Sequence, residues 1–242
     1  MAGERVTLWI ACLKFVHMIL PTARRPLARR ADRSFHVRVT IDVASIVPSV
    51  RDFLQAIDSR RKRLALVPLV ERADEARALG EAGVTAFAVL APSDGMRAVS
   101  AAVGSAPLVS LGPIATDKDA LAARAAGADA VIISAGGDAQ RWDAIAKDAR
   151  ATRMAVLAGV TDWPSAELSA KTMAKGVYLA VSAITEVSAM MSILGSRRVL
   201  ARLPSIDEPT LRALRGVVDA VIVESDLYLS TSFESLREEL DP

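Results

Sequence analysis

Eight times between residues 64 and 223 the chain repeats one pattern. A short apolar run is followed by a polar or Gly/Pro break and then by a longer, amphipathic, alanine-rich stretch. The runs cover residues 64–70, 85–90, 107–111, 130–134, 154–158, 177–181, 199–203 and 220–223. Their starts lie about 21–24 residues apart, the length of one strand-plus-helix unit. The runs are rich in Val, Ile and Leu without strict alternation, as expected of parallel strands buried on both faces.

Helix start signals sit between the runs. Asp117 opens the stretch after the third run, Trp163-Pro164-Ser165 the one after the fifth, and Asp207-Glu208-Pro209 the one after the seventh. A proline in the first helical turn forfeits no hydrogen bond, and acidic residues there suit the helix dipole. Gly80, Gly83 and Gly127 stand where a helix hands over to the next run. Right-handed crossovers applied to eight consecutive units close the sheet into a (β/α)8 TIM barrel. The competing architecture, an open doubly wound sheet, lacks its signature here, because no Gly-rich dinucleotide loop follows the first run. A further helix over residues 49–59 is expected before the first strand, covering the barrel floor. The barrel domain is thus read as residues 37–242, behind a basic extension of residues 1–36.

Charge and composition separate those two parts. The chain carries 30 Lys/Arg against 28 Asp/Glu, net +2, but residues 1–36 account for +5 and the rest for −3. Any nucleic-acid or membrane argument therefore belongs to the extension, and no nucleic-acid binding is expected of the barrel. Residues 6–20 are apolar except for Thr7, Lys14 and His17, which share one helical stripe; an arginine-rich tract follows Pro21. This run is too short and too charged to span a bilayer. It reads as an unstructured extension, a docked helix, or a helix making weak contact with a membrane or other anionic surface. Cys12 is the lone cysteine, and both histidines, His17 and His36, precede the barrel. Ser-His-Asp and Cys-His catalysis, His-ligated metals and Cys-based zinc sites are thereby excluded from the barrel. With 52% hydrophobic residues, the chain has ample material for a core.

At the third repeat the wording becomes specific. The segment LAARAAGADAVII at 121–133 closely resembles indole-3-glycerol phosphate synthase, a barrel enzyme of tryptophan biosynthesis. Asp52-Phe53-Leu54-Gln55-Ala56 resembles that family's pre-barrel helix, and Glu81-Ala82-Gly83-Val84-Thr85 its first helix-to-strand passage. Asp219-Ala220-Val221-Ile222-Val223 resembles its last strand. The resemblance covers roughly residues 50–240 and implies an acid/base constellation at the strand ends. In the family these are a Glu and a Lys on the first strand, a Lys on the third, a Glu on the fifth, an Asn on the sixth and a Glu-Ser pair on the seventh. A phosphate pocket lies over the last two loops.

Laid on this sequence, those positions lose their chemistry. The Glu-x-Lys falls on Pro68-Leu69-Val70, the second lysine on Leu111, and the fifth-strand Glu on Gly159. The Asn falls on Ser182, the Glu-Ser-Gly on Leu203-Pro204-Ser205, and the last-strand Gly-Glu-Ser on Glu224-Ser225-Asp226. Only Arg202 offers positive charge near a phosphate position that Glu224 and Asp226 make acidic. Each lost electrostatic group is worth about 3–4 kcal/mol of transition-state stabilisation, so losing several removes most of the rate. Gly136-Gly137-Asp138 reads as a plain turn before an anion nest, and Asp207 as a helix start before a metal ligand beside Glu224 and Asp226. No metal and no cofactor are expected, and Met190-Met191 reads as core. Trp163 and Leu227-Tyr228-Leu229 read as a plug over the mouth or as an apolar contact surface. The expectation is a cytoplasmic, catalytically degenerate barrel that acts by binding a protein partner or itself. The competing expectation is an active synthase, or another barrel lyase or isomerase, with an atypical site. Its candidate mouth and contact residues are Trp163, Ser182, Arg202, Ser205, Glu224, Ser225, Asp226 and Tyr228.

Overall fold

The structure, a computed structural model, describes residues 5–9, 38–42, 46–58, 63–90, 94–134 and 138–240. The chain divides into two compact units, Met1–Ser45 and Ile46–Pro242. In the first unit, β1 (Arg5–Trp9) pairs antiparallel with β2 (Arg38–Asp42), Val6 opposite Ile41 and Leu8 opposite Val39. The apolar run, read as an unstructured extension or a helix, is a strand over its first residues. RVTLW and RVTID both alternate and are rich in β-branched residues, which favours extended pairing over a helix. The remainder of that run, Cys12, both histidines and the arginine-rich tract lie outside the described residues.

The second unit runs α1 (Phe53–Ala56), β3 (Ala65–Leu69), α2 (Ala73–Glu81), β4 (Phe87–Val89), α3 (Asp94–Ala102), β5 (Leu108–Ile114), α4 (Asp117–Ala125), β6 (Ala130–Ser134), α5 (Ala139–Ala151) and β7 (Ala155–Val160). It continues with α6 (Trp163–Lys171), β8 (Gly176–Ala180), α7 (Ile184–Leu194), β9 (Arg198–Arg202), α8 (Glu208–Leu214), β10 (Ala220–Glu224), α9 (Ser225–Leu229) and α10 (Thr231–Leu240). Strands β3 to β10 form a closed parallel barrel in chain order, with β10 pairing back onto β3. Every one of the eight apolar runs holds a strand, and the (β/α)8 barrel is the fold.

The start signals act as local chemistry requires. Asp162 accepts from the Ser165 backbone N–H at 2.9 Å, and Asp207 from that of Thr210 at 2.9 Å. Thr116 and Asp119 form a reciprocal capping box on α4. Each such cap is worth about 1 kcal/mol by satisfying an otherwise orphaned helix N–H.

The pleat then sorts side chains. Ala65, Val67 and Leu69 of β3 join Ala88, Val109, Ile132, Leu157, Leu200 and Ile222 in an inner cluster that fills the barrel. Their neighbours, among them Leu66, Phe87, Val131, Val177 and Val221, pack outward under the helices. Below, α1 is only four residues long, shorter than the expected 49–59, yet it does close the floor. Phe53 and Ile57 are both 0% exposed and belong to the inner cluster.

A buried carboxylate fixes this floor segment. Asp129, immediately before β6, meets Arg51 Nε at 2.7 Å, Arg124 at 2.9 Å and the Ser49 hydroxyl at 2.6 Å. Its other oxygen also accepts the Leu108 N–H at 2.9 Å, tying β5 to β6. Asp219, immediately before β10, accepts the Val199 N–H at 2.9 Å in the same manner. The two aspartates precede the fourth and eighth barrel strands, so the ADAVII and DAVIV segments are one structural device used once in each half of the barrel.

Candidate functional site

In barrels of this kind chemistry sits at the C-terminal strand ends, and the alternation of the pleat says which residues look inward there. The mouth falls into three sectors. On β3 and β5 the inward positions are Leu69 and Leu111; Leu69 belongs to the inner cluster and Leu111 packs against it, while Leu90, just past β4, is 42% exposed. On β6, β7 and β8 they are the small residues Ser134, Gly159 and Ala180. On β9 and β10 they are Arg202 and Glu224. Beneath them Tyr178 packs partly exposed against the inner cluster.

This sorting corrects two of the expected correspondences. Val70 is 0% and Leu203 9% exposed, and both lie in the outward, helix-facing cluster. The residues that look into the barrel at those strand ends are Leu69 and Arg202. The period-2 alternation within each short run carried that information; matching residues by motif alone did not use it. Tyr178 was missed for a related reason, since a tyrosine inside an otherwise aliphatic run reads as packing.

Gly159 is a closed position. A Cβ built there would stand 3.1 Å from Ile132 Cγ2 and 3.3 Å from the Ile133 carbonyl oxygen. A side chain at this place requires Ile132 or the Ile133 carbonyl to give by a few tenths of an ångström, so the strand end that carries a carboxylate in the resembled family is tightly packed here.

The outer rim is acidic. The Ser225 hydroxyl donates to the Glu75 carboxylate, and the Glu71 N–H donates to the other oxygen of the same group at 3.1 Å, so the first and last loops are tied together. Glu224 and Asp226 are exposed beside them, and Asp226 accepts the Leu227 N–H at 2.8 Å. Arg72 is committed to Asp74, meeting both carboxylate oxygens and holding that carboxyl down to about 2. Around a phosphate position this arrangement repels rather than binds. Arg202, half-buried, has no ion-pair partner among the described residues.

The remaining candidates scatter. Ser182 is exposed past β8 and its N–H donates to Glu186 at 3.0 Å, while Ser205 is exposed between β9 and α8. Trp163 is 46% exposed at the start of α6, its indole N–H donating to Glu167 of the same helix at 3.1 Å; it is no buried plug. Tyr228 cannot be a contact residue. It is 5% exposed, packs in the helix-facing cluster and lies under the Arg237 guanidinium, 5.1 Å from its ring centre. The tract's exposed member is Leu229. Gly136 and Gly137 lie outside the described residues, and Asp138 caps α5 by accepting the Arg141 N–H at 2.7 Å. Among the described residues no group of three His, Cys, Asp or Glu could hold a metal, and no helix is long and apolar enough to cross a membrane.

No protein-family profile and no curated protein matches this sequence. The resemblance to indole-3-glycerol phosphate synthase thus rests on the quoted segments alone. Solved structures do match in shape. A putative lyase/mutase from Burkholderia cenocepacia J2315 is 16% identical with a TM-score of 0.56, over 76% of this chain and 86% of that one. Thiamine phosphate pyrophosphorylase from Pyrococcus furiosus is 16% identical with a TM-score of 0.54, over 75% and 96%. A 3-hexulose-6-phosphate synthase is 15% identical with a TM-score of 0.54, over 74% and 97%. Similarity at this level establishes that the chain shares the TIM-barrel fold of lyases and synthases, and fold alone does not carry a reaction.

Proposed function

We propose that this protein is a non-catalytic barrel related to indole-3-glycerol phosphate synthase, working in the cytoplasm as a structural or regulatory subunit that binds a protein partner or a second copy of itself. The observation that carries this reading is the mouth between β3 and β7. Leu69 and Leu111 face inward where acid/base groups would have to stand, and Gly159 is hemmed in by Ile132 and the Ile133 carbonyl. An apolar strand end lowers the desolvation cost of burial, several kcal/mol for each charged group it replaces, which favours stability over catalysis. The half-exposed Leu90, Trp163 and Leu229 supply apolar surface on mouth-side segments for a partner.

One observation favours a second reading, a working barrel lyase or isomerase. Arg202 and Glu224 face inward on neighbouring strands, a cation able to hold an oxyanion and a carboxylate able to move a proton. Assaying the purified full chain with the carboxyphenylamino deoxyribulose phosphate substrate separates the readings. The expected result is no turnover above background; turnover at ordinary enzyme rates, abolished by Arg202→Ala, would refute the non-catalytic proposal.

A further inference from the structure

The end of the barrel opposite the mouth carries a second feature that is independent of the reading above. Between α1 and the α5–β7 connection lies a cavity of about 520 Å³, walled by Ser49, Asp52, Leu54, Arg150, Arg153 and Lys175. That is within the size range of small-ligand pockets. A second cavity of about 530 Å³ adjoins it through Asp52, Leu54 and Lys175 and adds Arg197 and Arg198. Arg51 also borders the first cavity, but its charge is taken by Asp129. Arg198 is likewise paired with Asp58. Arg197 is spent on the Ala170, Thr172 and Ala174 carbonyls. In the first cavity Arg150, Arg153 and Lys175 remain, all exposed, against the single carboxylate of Asp52.

Cations below a barrel have an ordinary explanation, since every helix C-terminus there is partially negative. Arg150 fits it: it lies in the last turn of α5 and donates to the Met173 carbonyl at 3.3 Å. Arg153 and Lys175 do not. Each stands past its helix, in a connecting segment, and neither side chain has a hydrogen-bond or ion-pair partner among the described residues.

Arg153 is unusual in its backbone as well. Its φ is +58°, the left-handed region that L side chains avoid. Positive φ recurs two residues past the helix in four other helix-to-strand connections, and there the residue is always glycine: Gly83, Gly104, Gly127 and Gly216. The turn after α5 closes as those at Gly83 and Gly127 do, with the Met154 N–H returning to the Ala149 carbonyl at 3.2 Å. At one of five such turns, then, the chain accepts a strained arginine where glycine would fit without strain. The side chain it gains points to a role that glycine cannot fill.

We infer that this cavity binds a small, multiply charged phosphate compound, held by Arg153, Arg150 and Lys175. Guanidinium forks match the paired oxygens of a phosphate, and the lysine adds a point charge. The test is calorimetric titration of the full chain with pyrophosphate, beside the variants Arg153→Gly, Lys175→Ala and Arg202→Ala. The expected result is saturable binding that Arg153→Gly and Lys175→Ala each weaken about tenfold or more and that Arg202→Ala leaves unchanged. Arg153→Gly should at the same time keep or raise the melting temperature, because it relieves the left-handed strain; weaker binding is then not a folding defect. Absence of saturable binding by the parent chain would overturn the inference. So would binding that survives Arg153→Gly, or binding lost with Arg202→Ala, which would place the anion at the mouth.

Discussion

Replacing Asp129 by alanine should be the most damaging single polar substitution in the barrel floor. The carboxylate is fully buried and satisfies four donors at once: Arg51, Arg124, the Ser49 hydroxyl and the Leu108 N–H. Removing one partner of a buried ion pair costs about 3–5 kcal/mol, because the other charge is left uncompensated. Two features pull the value to the low end of that range. The arginine side chains are 13% and 12% exposed, and both keep carbonyl acceptors, Gly104, Ala106 and Gly127 for Arg51, Val47 and Ala128 for Arg124. The orphaned Leu108 N–H then adds about 1 kcal/mol or more. The sum is a loss of about 4 kcal/mol, or a fall of about 8–16 °C in melting temperature for a domain of this size. Asp129→Asn keeps an oxygen for Leu108 and should lose about half as much. Urea unfolding followed by far-UV circular dichroism reads both values, provided the slope with denaturant is unchanged. A loss below about 1 kcal/mol for Asp129→Ala would refute the view that this cluster holds residues 46–58 onto the barrel.

Gly159→Ala should destabilise by about 1–3 kcal/mol, as overpacking does, because its methyl meets Ile132 and the Ile133 carbonyl; a neutral result in thermal melts would mean the position is open to a catalytic side chain. Ser110→Ala should be neutral or stabilising by about 1 kcal/mol, since the Ser110 hydroxyl is fully buried with no hydrogen-bond partner among the described residues; a clear loss in the same melts would reveal an acceptor or a bound water there. The Asp162 carboxyl, held by Ser165 below the usual aspartate range, should titrate low when followed by carbon-detected NMR. A depressed value means its capping contribution is complete at neutral pH and lost as pH falls through the folded-state value; Asp162→Asn should remove that acid dependence, and an ordinary titration would contradict the cap.

What the amino-acid order made legible was periodicity. A buried parallel strand shows as a short run dominated by Val, Ile and Leu, and the eight runs recur at the spacing of strand-plus-helix units, so all eight strands and the cap at Asp207 are legible directly. The floor helix was overextended because SVRDFLQAIDS has helical spacing throughout, whereas tertiary packing needs only Phe53 and Ile57 placed under the barrel. The run over residues 6–20, read as an unstructured extension or a helix, differs at its start because RVTLW satisfies both periods, and pairing with RVTID decides for the strand. At the mouth, motif matching put Val70 and Leu203 in functional places, and a one-residue step in a pleated strand moves a side chain from the barrel interior to the helix layer. Tyr228 failed differently: an aromatic in a strand-to-helix segment reads as exposed, while the short α9 turns it back onto the barrel wall beneath Arg237.

The charge of the barrel body, slightly negative as a sum, is better understood as a gradient. Helices return antiparallel to the strands, so their N-termini ring the mouth and their C-termini the floor. First turns carry Asp74 and Glu75, Asp117 and Asp119, Glu186, Glu208 and Asp226; last turns carry Arg124, Arg150, Lys171 and Arg212. Each placement is worth a fraction of a kcal/mol to its own helix and needs no ligand to explain it. An enzyme that handles a phosphorylated substrate at such a mouth has to overcome this carboxylate ring with inward-facing cations, and among the described residues the strand ends offer Arg202 as their one inward-facing cation. At the floor the balance is reversed: Arg153 and Lys175 exceed what the helix ends call for, and one of them is held at a backbone conformation that the other equivalent turns give to glycine. On the proposed reading, affinity for anions belongs to the floor and the mouth is built for stability.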